Sequence, residues 1–323
     1  MREWATHAHG SPLYVELCEV VADSDELLRI LNRVVNWPYP NTFFAAVHYL
    51  VMKGEGPELA RFYPSLADDP EQVAAAGLPF REFVISHEEE IVELGQTRHT
   101  QTNESRRCVV LLPAIWRSSL PSFHPADLGT NAGLNLLVDL SRYRGDGIEW
   151  GPESPVTLET ELRGSEPVPR EIQVLSRTGL DLNPKDPRDA DDRLWLEALT
   201  WPEHEARRHR LRAALDLARA VDIHFVDGSA LETLGATLED LPDAEPAVVI
   251  NAFTLNQFTR DARDEVDRIV SQTRLGRPIV RVGFEYRARE DDWPTVSVDD
   301  GSGEVMIGRA HPHGEWVDFY ARP

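Results

Sequence analysis

The sequence predicts an α/β protein: an α-helical N-terminal cap, then a Rossmann-like, doubly wound and mostly parallel sheet of about seven strands. Apolar residues recur at helical spacing over residues 1 to about 122, which show no strand pattern of any length. From residue 123 onward, strand-like and helical segments alternate, as they do in parallel sheets. We therefore expect a helical cap at residues 1–122 and a sheet domain at 123–323, with an insertion at about 141–170 that carries a short strand pair.

The N-terminal cap is predicted from helix starts and stops. Ser11-Pro12 supplies a capping side chain and a proline for the first turn. Asp23-Ser24-Asp25 caps the next helix, and a third helix begins at Asn41 and ends at Gly54. Further helices are expected at about 56–66, 70–76 and 80–95.

A capped helix is expected just before the first strand of the sheet. Thr102 or Asn103 is the predicted cap, and Glu104 and Arg107 share one flank of the helix at i, i+3. This arrangement would place polar side chains above a ligand bound at the start of the sheet. The alternative is a capping motif with an exposed ion pair.

A glycine-rich turn after the first strand is the main candidate for a binding site. Asp127, Gly129, Asn131 and Gly133 alternate as D-x-G-x-N-x-G, with Thr130 inside the turn. Glycine permits a close backbone approach, and the amphipathic helix expected next would offer free N–H donors. An acid before the first glycine suits a neutral or cationic ligand such as S-adenosylmethionine better than a pyrophosphate. The alternative is a βα turn that needs glycine only for packing.

Later strands end in further polar residues. A strand at 171–176 leads to Asp181, which lies where doubly wound folds bind a ribose hydroxyl; it is alternatively a turn residue before Asn183-Pro184. Asp227 follows the third strand and would accept the amino group of a purine.

The last strands complete the predicted sheet. The apolar fourth strand brings Asn251 and Phe253 to its carboxyl end, where open α/β sheets bind ligands. A fifth strand at 278–285 follows it. The segments at 295–298, 304–310 and 316–320 suit an antiparallel ending.

Charge restricts the class of partner. Asp and Glu outnumber Lys and Arg by 55 to 33, which gives a net charge of −22, and Lys53 and Lys185 are the only lysines. Such a surface repels nucleic acid and anionic lipid. We therefore expect a small-molecule ligand, and a small-molecule or protein substrate, with no nucleic-acid or membrane partner.

No targeting or metal signal stands out. No apolar signal region follows the N-terminus, and no apolar run approaches the ~20 residues that span a bilayer, so a cytoplasmic location is expected. Cys18 and Cys108 have the sequence context of buried apolar side chains. His7-x-His9 and His311-x-His313 have metal-like spacing but no third ligand nearby, so no metal is expected. Motifs of serine hydrolases, P-loop enzymes and zinc ribbons are absent.

Several stretches together resemble the uncharacterised prokaryotic family known as domain of unknown function 2332. They are Ser11-Pro12-Leu13-Tyr14, Gln101-Thr102-Asn103-Glu104, Gly129 to Leu137, Gly179 to Pro184 and Trp195 to Pro202. This resemblance covers most of the chain and implies no established activity.

A looser resemblance, over about residues 124–323, is to class I S-adenosylmethionine-dependent methyltransferases. It rests on acids at three strand ends, Asp127, Asp181 and Asp227, and on the turn in which Asn131 replaces the central glycine. Asparagine adopts a positive φ at modest cost, so the turn can keep its shape.

The methyltransferase resemblance implies a cofactor, S-adenosylmethionine, across the carboxyl ends of the first strands. The turn would face its methionine moiety, Asp181 its ribose and Asp227 its adenine. The implied cofactor contacts are Asp127, Gly129, Thr130, Asn131, Gly133, Asp181, Asp227 and Asn251, and the substrate-side candidates are Asn103, Glu104, Arg107 and Phe253. The alternatives are a non-catalytic ligand-binding or interaction protein of the same fold and, less favoured, a dinucleotide-dependent oxidoreductase.

Dense carboxylates with almost no lysine also suggest adaptation to a salt-rich cytoplasm; the alternative is an acidic mesophile with arginine-biased codons. The salt hypothesis predicts a melting temperature that rises between low and molar potassium chloride. The reason is that the Debye length falls from about 30 Å at 0.01 M salt to about 3 Å at 1 M, which screens carboxylate repulsion. Scanning calorimetry across this range measures the effect, and an unchanged melting temperature would favour the mesophile alternative.

Overall fold

The computed structural model describes residues 1–8, 10–36, 38–288 and 291–321. The chain divides into two compact units. The first, here called the helical unit, comprises Met1–Thr102 and Arg188–Arg212. The second, the sheet unit, comprises Asn103–Pro187 and Ala213–Pro323.

The α-helices of the described residues are α1 (Arg2–Ala5), α2 (Pro12–Ala22), α3 (Asp25–Leu31), α4 (Tyr39–Met52), α5 (Pro57–Ala60), α6 (Gly77–Ser86), α7 (Glu88–Thr97), α8 (Cys108–Arg117), α9 (Ala190–Ala198), α10 (Glu205–Arg219), α11 (Ala230–Glu239) and α12 (Arg260–Thr273). Short 3₁₀ helices occur at Val73–Ala75, Ser105–Arg107, Leu134–Leu137 and Leu255–Gln257.

The strands are β1 (Ser122–Leu128), β2 (Arg142–Gly145), β3 (Ile148–Trp150), β4 (Thr157–Glu159), β5 (Glu161–Leu162), β6 (Gln173–Val174), β7 (Thr178–Asp181), β8 (His224–Asp227), β9 (Ala247–Ala252), β10 (Ile279–Glu285), β11 (Thr295–Asp299), β12 (Glu304–Ala310) and β13 (Trp316–Phe319).

The helical unit has an apolar core to which both of its chain segments contribute. Phe43 and Phe44 of α4 are fully buried in it, and so is Trp195 of α9. The predicted caps are confirmed, because Ser11 accepts the N–H of Tyr14 and Ser24 accepts that of Leu27. The single helix predicted at about 80–95 is wrong. It is two helices, α6 and α7, separated at His87, whose φ of −114° and ψ of 24° are not helical.

The sheet unit is built on a ten-stranded mixed sheet in the order β5-β13-β12-β11-β10-β9-β1-β7-β8, with β6 paired to β1. Strands β10, β9, β1, β7 and β8 are parallel to one another. The pairs β10–β11, β11–β12 and β12–β13 are antiparallel, and β13 pairs with β5 in the parallel sense. Strands β3, β2 and β4 form a separate three-stranded sheet. The prediction of a Rossmann-like, mostly parallel sheet of about seven strands is therefore wrong.

Connection length explains this difference. Residues 300–303 alone join β11 to β12, and residues 311–315 join β12 to β13. A parallel connection needs a crossover of about a dozen residues or more, so these strands can pair only in the antiparallel sense. The antiparallel ending expected at 295–320 is confirmed. The segment 141–170, expected to carry one strand pair, supplies four short strands, one of which joins the large sheet beside β13.

The parallel strands place β1 at a point where the strand order reverses. From β1 the chain passes to β7 and β8 on one side, and later to β9 and β10 on the other. Ligands of open α/β sheets bind beyond the carboxyl ends of strands at such a point. The turn after β1 occupies this position.

The sheet has two distinct faces at this point. Ala126 and Leu128 of β1 share an apolar core with Leu234 of α11 and Val266 of α12. Successive side chains of a strand alternate in direction, so Asp127 lies on the opposite face. Polar side chains at the carboxyl ends of these strands can therefore lie on either face of the sheet.

Cys18 and Cys108 are buried free thiols, as predicted. Among the described residues, none of the helices combines the length and the apolar character that crossing a membrane requires.

Candidate functional site

The turn after β1 contains three alternate residues with left-handed backbone. The φ angles are +70° at Gly129, +51° at Asn131 and +76° at Gly133. Glycine adopts this region freely, and asparagine is one of the few other residues that does so at small cost. The expected positive φ at Asn131 is confirmed.

The amphipathic helix expected after this turn is wrong. Gly133 is followed only by the 3₁₀ helix Leu134–Leu137, in which Leu134, Leu136 and Leu137 are all buried. An amphipathic helix would present an exposed polar face, whereas this segment is mostly buried. The turn thus has no long helix whose N-terminal N–H groups could contact a ligand.

Asp181 holds the turn in place. Its Oδ2 accepts the N–H of Asn131 at 2.9 Å, and its Oδ1 accepts the N–H of Asn183 at 2.9 Å. The N–H of Gly129 also donates to the Leu180 carbonyl at 2.8 Å. The end of β7 is therefore fastened to the turn after β1, a structural role that accompanies any contact of Asp181 with a ligand.

Packing as well as φ requires glycine in this region. A Cβ at Gly129 would lie 2.3 Å from Oγ1 of Thr254, whose hydroxyl donates to the Leu128 carbonyl. A Cβ at Gly133 would lie 2.9 Å from Ile223 Cδ1. The packing interpretation of these glycines therefore accounts for part of the motif.

Asp127 is a buried carboxyl group beside the turn. It has no exposed surface, and Nδ2 of Asn135 donates to both of its oxygens at 3.3 Å. Burial raises the pKa of Asp127 to about 7, although the side chains of Thr130 and Asn135 favour the ionised form. This acid changes charge close to neutral pH.

Asn131 carries the clearest signal of a ligand. It is 5% exposed, and both its Oδ1 and its Nδ2 are buried without a hydrogen-bond partner among the described residues. An unsatisfied buried donor or acceptor costs about 1–3 kcal/mol, so native proteins usually satisfy such groups with protein, water or ligand. A bound molecule that both accepts and donates would satisfy this amide.

The three predicted acids lie on one face of the sheet. Asp127 pairs across strands with Gly179, and Asp181 pairs with Asp227, so alternation places all three acids on the face opposite the α11–α12 core. Asp227, however, is exposed at the end of the edge strand β8. The structure therefore brings Asp127 and Asp181 to the turn more closely than Asp227.

Asn251 lies on the other face. It pairs with Leu128 of β1 and Gly283 of β10, and its Nδ2 donates to Glu285 Oε1 at 3.2 Å. Glu285 also accepts three backbone N–H groups, those of Thr254, Leu255 and Asn256. Burial raises the pKa of Glu285, and these donors oppose that effect.

The substrate-side candidates fall in two groups. Arg107 is buried with its guanidinium 4.2 Å from the ring centroid of Phe253, which has a left-handed φ of +61°. Glu104, and not Thr102 or Asn103, caps the 3₁₀ helix by accepting the N–H of Arg106 at 3.1 Å. Asn103 is half-buried just before that helix. The Arg107–Phe253 contact joins this segment to the loop after β9.

The histidine pairs give no metal site in the described part of the chain. Nδ1 of His311 accepts the N–H of His313 at 3.2 Å, so the spacing serves a turn. No cluster of three or more His, Cys, Asp or Glu side chains suited to a metal occurs among the described residues. His9 lies outside them.

Three residues with roles at this edge escaped sequence analysis. Glu285 is an acid at the end of strand β10. The same signal identified Asp181, and it was sufficient to identify Glu285. Thr254 and Asn135 contact Leu128 and Asp127 only through tertiary packing, and no local pattern marks them.

The chain belongs to a bacterial family whose model, described as "Uncharacterized protein conserved in bacteria (DUF2332)", matches residues 1–319. This match confirms the resemblance to that family. A search of curated proteins gives no match. The resemblance to methyltransferases stays a prediction.

Gly129→Ala should lower the free energy of unfolding by more than Gly147→Ala. Both glycines have a positive φ, which costs alanine about 1–2 kcal/mol. Only the Cβ at 129 meets another group, because nothing lies within 4 Å of a Cβ at Gly147. Urea unfolding measures both losses. The double variant Gly129→Ala/Thr254→Ala should lose less stability than the sum of the two single variants. The packing role would be contradicted if the losses of the single variants simply added, or if Gly129→Ala and Gly147→Ala lost the same amount.

Asp127→Asn should change how stability depends on pH. The unfolded carboxyl group loses its proton near pH 3.9 and the folded one near pH 7, so burial of this group costs stability progressively as pH rises through that window. The free energy of unfolding of the variant should therefore rise relative to that of the natural protein from about pH 4 to 7. Above pH 7 the difference between the two should stay constant. Urea unfolding across this range measures the gain. Asp227→Asn, at an exposed position, is the control, and a parallel pH profile for Asp127→Asn would contradict the assignment.

Proposed function

We propose that this DUF2332 member binds S-adenosylmethionine at the carboxyl ends of β1 and β7 and transfers its methyl group to a small-molecule or protein acceptor. The observation that carries the proposal is the buried amide of Asn131, whose donor and acceptor both lack a partner among the described residues. The amino-acid end of S-adenosylmethionine has an ammonium group that donates and a carboxylate that accepts. One asparagine side chain can satisfy both.

The surrounding charges fit a cation. Asp127 and Asp181 lie on the same face as the turn, and each favours a positively charged ligand over a pyrophosphate. A bound cation would also lower the pKa of Asp127 and so favour its carboxylate at neutral pH. The ligand would meet the turn at Asn131, because Thr254 and Ile223 fill the space beside Gly129 and Gly133.

Methyl transfer would need mainly alignment of the reactants. When bound, S-adenosylmethionine supplies a methyl group on a sulfonium: a lone pair of the acceptor forms the new bond, the carbon–sulfur pair stays on sulfur, and the acceptor's proton leaves to water. Asn131 would hold the amino-acid end, and Asp181 would keep the turn in its binding conformation. Arg107 stacked on Phe253 would exclude water on the loop side.

Two alternatives keep the same site. A non-catalytic protein would bind the cofactor without transfer. An oxidoreductase would bind a dinucleotide, but a pyrophosphate next to the buried Asp127 is electrostatically unfavourable.

Calorimetric titration with S-adenosylmethionine tests the proposal directly. We expect saturable heat and a thermal shift, and Asn131→Ala should weaken binding roughly tenfold because it removes both side-chain hydrogen bonds. Asn32→Ala, at the exposed end of α3, is the control that should bind normally.

The titration also separates the alternatives. No heat and no thermal shift with S-adenosylmethionine or its demethylated product would refute the proposal. Heat with NAD alone would favour the dinucleotide alternative. Binding without transfer of a labelled methyl group to small molecules or proteins would favour the non-catalytic one.

A further inference from the structure

A pocket of about 240 Å³ opens on the sheet face that α12 covers. Its floor is a row of cross-strand neighbours, Asn251 of β9, Gly283 of β10 and Ser297 of β11. A Cβ at Gly283 would lie 2.7 Å from Ser297 Oγ and 3.4 Å from Asn251 Nδ2, so glycine is what lets these side chains meet here. Arg263 and Asp267 of α12 contribute to the wall.

Within the described part of the chain, one of the three arginines that line the pocket has no ion pair. Asp267 forms an ion pair with Arg281, and Glu304 forms one with Arg287. The carboxylate of Glu285 is occupied by four N–H donors. Arg263, by contrast, has no carboxylate within ion-pair distance among the described residues, and its buried Nε has no acceptor there. An anion in the pocket would supply both an ion-pair partner for the guanidinium and an acceptor for Nε.

A second group in the pocket is also unsatisfied. Asn251 is 2% exposed, and its Nδ2 donates to Glu285, which fixes Oδ1 as the free acceptor. Oδ1 is buried without a partner among the described residues. A ligand that meets it must carry a hydrogen-bond donor.

We infer that this pocket binds a small monocarboxylate that carries a hydroxyl or amino group, with the carboxylate on Arg263 and the donor on Asn251 Oδ1. A single charge suits the site because one guanidinium has no ion-pair partner among the residues that the structure describes, whereas the second charge of a phosphate dianion would have no partner there and would be repelled by Glu285. The volume is below the about 300 Å³ at which sites for drug-sized ligands begin, so the ligand is a small acid.

Binding here does not depend on the cofactor. The turn proposed to hold the cofactor lies on the opposite face of the sheet, so this assignment goes beyond the proposed function and does not rest on it.

Four small probes test the inference on the full chain: lactate, alanine, propionate and inorganic phosphate, each titrated by calorimetry without cofactor. Lactate and alanine have the carboxylate and a donor, whereas propionate lacks the donor and phosphate lacks the carboxylate. We expect lactate or alanine to bind at least several-fold more tightly than propionate, and phosphate to bind least.

Arg263→Gln should weaken binding of the preferred probe roughly tenfold or more, since a charge-assisted hydrogen bond is lost. Arg268→Gln is the matched control, because Arg268 lies on the same helix, is paired with Glu265 and does not line the pocket. Its binding should be unchanged.

Several results would overturn the inference. These are phosphate binding more tightly than lactate and alanine, equal affinity for propionate and lactate, an unchanged affinity in Arg263→Gln, or no binding of any probe by the folded protein. Titration with S-adenosylmethionine is read separately. Binding of lactate or alanine without binding of the cofactor would refute the proposed function and leave the pocket assignment intact. Binding of the cofactor without lactate or alanine would refute the pocket assignment and leave the proposed function intact.

Discussion

Two strand-end carboxylates fix the geometry at the carboxyl edge of the parallel strands, and the candidate sites depend on them. Asp181, at the end of β7, accepts backbone N–H groups of Asn131 and Asn183 and so holds the turn after the neighbouring strand β1. Glu285, at the end of β10, accepts the N–H groups of residues 254–256 and holds the loop after the neighbouring strand β9. Hydrogen bonds to a carboxylate are stronger than neutral ones, so each acid orders a loop that would otherwise fray.

The same arrangement creates two ligand-facing surfaces instead of one. Because alternation along β1 places Asp127 opposite Leu128, the acidic turn lies on one face, while Asn251 lies on the α12 face with the arginine pocket. The side chain of Asn131 lies on the turn, and that of Asn251 lies on the second face. Among the described residues, both amide atoms of Asn131 and Oδ1 of Asn251 are buried without a partner. A cationic ligand on the first would meet Asp127 and Asp181, and the carboxylate of a ligand on the second would meet Arg263.

Sequence reasoning succeeded where local chemistry determines the structure. The caps at Ser11 and Ser24, the positive φ of Asn131 and the antiparallel ending follow from neighbouring residues alone. It failed where tertiary contacts decide, as in the helix expected after Gly133, where three leucines are buried on all sides. The strand number was wrong partly for the same reason, since pairing of β5 and β13 joins segments far apart in the chain. The site residues and the domain boundaries stay predictions.

An acid at the end of a strand can support a neighbouring loop, contact a ligand, or do both. From sequence, an acid at the end of a parallel strand predicts a site for a ribose or an amine. In the structure, however, the carboxylate oxygens of Asp181 and Glu285 accept hydrogen bonds from backbone N–H groups. Such carboxylates still contribute negative potential to a ligand, because neutral N–H donors do not cancel their charge. What distinguishes the ligand contact from the structural support is the unsatisfied neighbour. Asn131 beside Asp181, and Asn251 beside Glu285, are the groups that a ligand would complete.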